Sequence, residues 1–184
     1  VSFLPNPKTW LFQRRLLADT RAPEALKAGE KPVNLATATQ VLVLFPADKA
    51  TDRKVVEDWK ETTRSATCVV NMAGYFARET GVKDADLLRI TAQERNWYGV
   101  PVGAPTKRYF EAACDLLIRL GPAGHRELNY LAASKRASLK VGPHDPNENT
   151  PIYQLQFDGR ANGDLISQLA AIEAIFSYTN ATST

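Results

Sequence analysis

No apolar run in this 184-residue chain approaches the ~18 residues that a membrane span requires, so no membrane partner is expected. Lys8, Arg14 and Arg15 interrupt the apolar residues near the N-terminus, which argues against a secretory signal and for an intracellular protein. The start at Val1 in place of Met suggests a processed or trimmed chain. Cysteine is scarce: Cys68 and Cys114 form no CxxC pair and lie far in sequence from either histidine, which leaves a zinc site without support. Both sit among apolar neighbours and read as reduced core thiols. The chain also lacks a phosphate-cradling glycine loop, a Gly-x-Ser-x-Gly elbow and an HExxH pair, so no cofactor and no metal is predicted and the reading leans away from an enzyme. Charge of one sign is weak as well, at +3 with a pI near 8.9, which permits an acidic partner without demanding one.

What is present is hydrophobic periodicity. From Thr51 to Thr80, apolar or small residues recur at Val55, Val56, Trp59, Thr63, Ala66, Val69, Val70, Ala73, Phe76 and Ala77, mostly three or four apart. Charges cover the opposite face as far as Arg64 and then stop, as in a helix that enters the core, and Gly81 would close it. A rival reading makes Gln40–Phe45 a strand, 48–65 a helix and Thr67–Met72 a second, parallel strand, because Thr67, Val69 and Val70 are β-branched.

Asn6-Pro7 is a capped helix start, with Trp10, Phe12, Leu16 and Leu17 striping a helix to about Asp19. A short helix from Thr20 to Ala28 follows. Further helices are predicted from Ala85 to Tyr98, from Thr106 to Leu120 and from about His125 to Lys140. A loop spans 142–151, an extended segment holds Ile152, Leu155 and Phe157, and Asp158-Gly159 turns the chain. A last helix runs from Leu165 to Tyr178, capped by Asn162 or Asp164. The fold class expected is therefore mainly α, one domain over 1–184, with 1–20 a docking arm and 179–184 a flexible tail. The alternative is α/β with a βαβ unit at about 40–72.

Few residues suggest chemistry. His125 opens a predicted helix and reads as a surface residue. His144 lies in HDPNENT, where Asp145, Asn147 and Asn149 alternate as in a calcium loop. Thr150 then stands where that loop needs glycine, and Gln156 where it needs the bidentate glutamate, so a solvated loop is the better reading. Asp48 would lie just past the first strand of the βαβ alternative, where α/β enzymes place functional groups. Glu94, Asn96 and Tyr98 are polar candidates near one helix end. The Asn180 sequon carries no weight without a signal peptide.

The basic residues point further. Arg136 and Lys140 are four apart on one predicted helix, Lys135 flanks them and Arg126 begins the helix, a face able to meet RNA or DNA phosphates. Lys107-Arg108 and Arg14-Arg15 are further basic pairs. The function expected is a non-catalytic helical structural or assembly subunit that self-associates, with a basic nucleic-acid-facing surface. A monomeric nucleic-acid-binding or adaptor module and a small α/β enzyme are the alternatives.

Overall fold

Two short segments, each apolar on both faces, fix the architecture: Gln40–Pro46 (β1) and Val69–Phe76 (β2). They pair in parallel, with Val41 opposite Val70 and Phe45 opposite Gly74, and Ala50–Thr63 (α2) crosses between them. Leu87–Thr91 (β3) extends the sheet beyond β2, followed by a single 3-10 turn at Ala92–Glu94. On the other side of β1 come Leu116–Arg119 (β4), Leu139–Pro143 (β5) and Leu155–Phe157 (β6), giving the order β3-β2-β1-β4-β5-β6 with every pair parallel. This computed structural model describes residues 6–22, 32–78, 81, 85–146, 152–158 and 164–181.

Helices cover both faces. Val41, Val43, Phe45, Val70, Met72, Leu116 and Ile118 pack beneath α2 and Leu165–Ala181 (α5), with Val56, Trp59, Leu169, Ile172 and Phe176 supplied from the helices. Leu42, Leu44, Tyr75, Ile90 and Leu117 face Ala104–Glu111 (α3) and Arg126–Ser134 (α4). Pro7–Asp19 (α1) lies outside α4, where Phe12 packs with Val100 and Tyr130. Asn6 caps α1 by accepting a hydrogen bond from the Lys8 N–H at 3.0 Å.

The protein is thus α/β around a central parallel sheet, and the expected mainly helical class is corrected. The expected long helix of Thr51–Thr80 stops at Thr63, because Arg64 turns to extended backbone at φ −62°, ψ 145°. The stretch that is apolar all round is β2, buried on both faces as inner strands of a parallel sheet are. The same correction applies three times more. Thr106–Leu120 is α3, a break at extended Ala112, and β4. His125–Lys140 is α4, a break at extended Lys135, and β5. Ala85–Tyr98 holds β3 and the 3-10 turn in place of a helix. The helical, self-assembling subunit loses its basis with the helical class. The rival βαβ reading at 40–72 matches β1–α2–β2. Residues 23–28 of the predicted second helix lie outside the described residues.

Candidate functional site

Strand order reverses between β1 and β4, and in open α/β sheets ligands bind outside the carboxyl ends of the strands at such a point. Between the two strands themselves, however, the protein's own atoms fill the space. Arg119, buried at the end of β4, donates to the carbonyls of Gly121 at 2.9 Å and Pro122 at 2.6 Å. Gly121 has φ +102°, and its N–H donates to Oε1 of buried Gln168 from α5 at 2.7 Å. A Cβ on Gly121 would lie 2.7 Å from Cδ of Pro46, so the two loops are in contact. Asp48 stands just past β1 as the βαβ reading placed it. Its carboxylate is engaged, accepting from the N–H groups of Ala77 (3.0 Å) and Arg78 (3.2 Å).

The open polar site lies beside this closed point, above the face carrying α4. A pocket of about 280 Å³ is bounded by the chain after β3, the first turn of α4 and the start of α1. Lys8, Arg95 and Arg126 bring three cations to it, Glu127 one carboxylate, and Trp97 and Tyr98 two aromatic rings. Trp97 is 64 % exposed and meets Tyr98 edge to face at 5.4 Å between centroids. The Arg126 guanidinium lies over the Phe12 ring, 4.2 Å from the centroid. Arg95 pairs with Glu127 at 2.7 Å. The N–H groups of the first turn of α4 add partial positive charge on the same side.

Behind the pocket wall sits a buried polar pair. Tyr75, at the end of β2, packs edge to face against His125 with centroids 5.2 Å apart. Its hydroxyl is buried without a well-formed hydrogen bond among the described residues. Burial, reinforced by the Glu127 charge, pushes the phenol up to about 12. His125 is the N-cap of α4; its Nδ1 accepts a long hydrogen bond from the Leu128 N–H and stands 3.5 Å from Glu127. Burial pushes its imidazole below the ordinary value against the pull of Glu127, which keeps it neutral at pH 7.

The four cations expected to form one nucleic-acid-binding face separate. Arg126 reaches the pocket just described, and Arg136 is exposed at the far end of α4. Lys135 and Lys140 are each 1 % exposed. Lys135 Nζ donates to the carbonyls of Tyr109 (2.6 Å) and Ala112 (2.5 Å) where α3 ends. Lys140, on β5, donates to Ala133 at 2.9 Å where α4 ends, and to Arg21 at 3.0 Å. Both ammonium groups therefore cap helix ends. Lys135 and Lys140 do not present charge to a phosphate backbone, and Lys140 shares no helix face with Arg136.

Of the polar candidates, Asn96 and Tyr98 line the pocket, while Glu94 accepts from the Thr91 hydroxyl at 3.3 Å. His144 bonds Gln156 at 2.7 Å, and Asn147, Asn149 and Thr150 lie outside the described residues. Sequence reasoning passed over Lys8, Arg95 and Trp97. The legible signal was Trp97 itself, a large ring amid Glu94, Arg95 and Asn96. Among the described residues no three His, Cys, Asp or Glu side chains are gathered as metal ligands, and no helix is long and apolar enough to cross a membrane.

No curated protein and no solved structure matches the chain. A match to DUF6913, a family of unknown function, covers residues 17–170, from the end of α1 into α5 and through Arg95, Trp97 and Arg126, and the chain belongs to that family.

Proposed function

We propose that this protein binds a small ligand carrying a phosphate and a flat ring, a nucleotide in chemical class, in the pocket between the chain after β3 and the first turn of α4. One observation carries the reading: Lys8, Arg95 and Arg126 converge with an exposed Trp97 at a helix N-terminus on the carboxyl side of the sheet. Guanidinium groups suit phosphate oxygens. An exposed indole offers a stacking face worth about 1–3 kcal/mol to a base. Arg126 keeps its expected role as a phosphate contact, now toward a pocket ligand in place of a nucleic-acid groove.

The test is titration of the protein with nucleoside monophosphates, following tryptophan fluorescence and, in parallel, heat of binding. Arg126→Gln is expected to weaken binding roughly tenfold or more, the value of one charge-assisted hydrogen bond. Trp97→Phe removes the fluorescence response while heat is still evolved. Absence of heat with every nucleotide at low salt refutes the reading. Affinity unchanged in both variants places the ligand elsewhere.

A further inference from the structure

At the opposite end of α4, we infer a second anion site, one that holds a phosphoryl group between Arg15, Arg21 and Arg136. These three guanidinium-bearing residues line a pocket of about 300 Å³ together with Asp19, Phe110, Tyr130 and Ser134. They come from separate segments: α1, the chain just after it, and the chain just after α4. Backbone bonds fix where the middle one stands, since the Arg21 N–H donates to Ala133 at 2.9 Å and its carbonyl accepts from Lys140 Nζ at 3.0 Å.

Among the described residues of the pocket Asp19 is the single carboxylate, and it is already matched. Arg15 Nε lies 2.6 Å from it, and the buried Tyr130 hydroxyl donates to it at 2.5 Å. That leaves Arg21 and Arg136 as charge in excess. Ser134 Oγ is buried at the pocket wall beside the Tyr130 hydroxyl.

The location looks unfavourable for an anion at first, because the carbonyl ends of α3 and α4 point toward this end of the domain face. Helix C-termini carry partial negative charge. Here that charge is cancelled from inside: Lys135 caps the end of α3 and Lys140 the end of α4. Two buried ammonium groups therefore stand behind three guanidinium groups, and among the described residues a single aspartate opposes them. Phosphoryl oxygens, several to a group and able to accept two guanidinium forks at once, match this arrangement better than a lone carboxylate does.

The site is independent of the nucleotide pocket, and the test keeps them apart. The probes are inorganic phosphate and pyrophosphate, titrated calorimetrically into the full chain at low ionic strength, with chloride as counterion. Arg136→Gln, an exposed side chain, should weaken binding roughly tenfold or more without altering the circular dichroism spectrum. Ser134→Ala should weaken it less. Because pyrophosphate can also meet Arg126 in the nucleotide pocket, the titration is repeated in the Arg126→Gln background, where the binding that remains should still fall when Arg136→Gln is added. A short single-stranded RNA competing with pyrophosphate at this site would assign the phosphoryl group to a polymer. Failure of RNA to compete would assign it to a small phosphoester. Absence of phosphate and pyrophosphate binding, or binding indifferent to Arg136→Gln and Arg21→Gln, overturns the inference.

Discussion

Replacing Gly121 by alanine tests the closed junction between β1 and β4 directly. The backbone there has φ +102°, a region that costs a residue with a Cβ about 1–3 kcal/mol. The added methyl would meet Cδ and Cγ of Pro46 at 2.7 and 2.8 Å, and Pro46 is ring-locked at the end of a central strand, so it cannot swing aside. Overpacking of that kind costs about 1–3 kcal/mol more. The sum, about 2–6 kcal/mol, is a large part of the ~5–15 kcal/mol that holds a typical domain together. For a chain of this size it corresponds to a fall in Tm of roughly 4–24 °C. Gly124 is the matched control in the same loop: a Cβ there meets nothing within 4 Å, so Gly124→Ala should change little. Thermal unfolding followed by circular dichroism reads both. A Gly121→Ala protein within a degree or two of the wild type would mean that the two loops do not touch as described.

Other expectations follow from the same packing. Val70→Asp, at 3 % exposure in the middle of the sheet, should be severely destabilising through an unpaired buried charge, and a soluble, cooperatively melting variant would contradict its placement. Phe12→Ala should cost about 3–5 kcal/mol by opening a cavity against Tyr130 and Val100, whereas Trp10→Ala, at a half-exposed position, should cost far less; equal losses in chemical denaturation would refute the distinction. Burial pushes the Lys140 ammonium down to about 8, below its unfolded value near 10.4, so the unfolded chain holds more protons between those values and stability rises with pH there. Cys114, pushed up to about 12 by burial, acts the other way above about pH 8.5. The wild-type minus Lys140→Met difference curve isolates the lysine, and a flat or falling difference from pH 8 to 10 would refute it. On the acid side, burial lowers the His125 value, so its contribution to stability is lost as pH falls through about 6.5. Burial raises Asp115, but hydrogen bonds from Thr39 and Gln40 outweigh it and hold the carboxyl below its ordinary value. Its contribution goes as pH drops below about 4, which Asp115→Asn should remove from the acid limb of a pH–stability curve.

The sequence disclosed the ends of this fold better than its centre. The Asn6-Pro7 start of α1, its end at Asp19, and the start of α5 at Leu165 were legible because each is a helix that no strand directly extends, although Ile166, read as inward, is exposed. Asp164 also accepts from the Ser167 N–H at 2.8 Å, as its expected capping role requires. The interior misled for one recurring reason. A helix followed directly by a strand buried on both faces leaves a continuous trail of apolar residues, and β2, β4 and β5 each extended a helical stripe without breaking it. The breaks fall at Arg64, Ala112 and Lys135, none of them glycine or proline, so no turn residue announced them. For the pocket, Arg126 was legible as a cation at a helix start, but its company was not. Lys8, Arg95 and Trp97 lie in segments joined only by the path of the chain over the sheet. Lys135 and Lys140 show the converse: long cationic side chains read as a phosphate-binding face, yet bound by carbonyls that the sequence does not display.

The central position of β1 has a consequence for how the chain is made. Its two neighbours arrive at very different times: β2 follows after one helix, but Asp115, which fastens the start of β4 to Thr39, lies 76 residues downstream. At synthesis rates of about 5–20 residues per second, that separation leaves one edge of β1 bare for roughly 4–15 s. The edge consists of Val41–Phe45, five apolar residues in a row with neither charge nor proline to deter a second strand from pairing there. A nascent chain stalled before β4 emerges therefore carries an open template for intermolecular pairing, and its characteristic failure is aggregation through β1 rather than slow refolding.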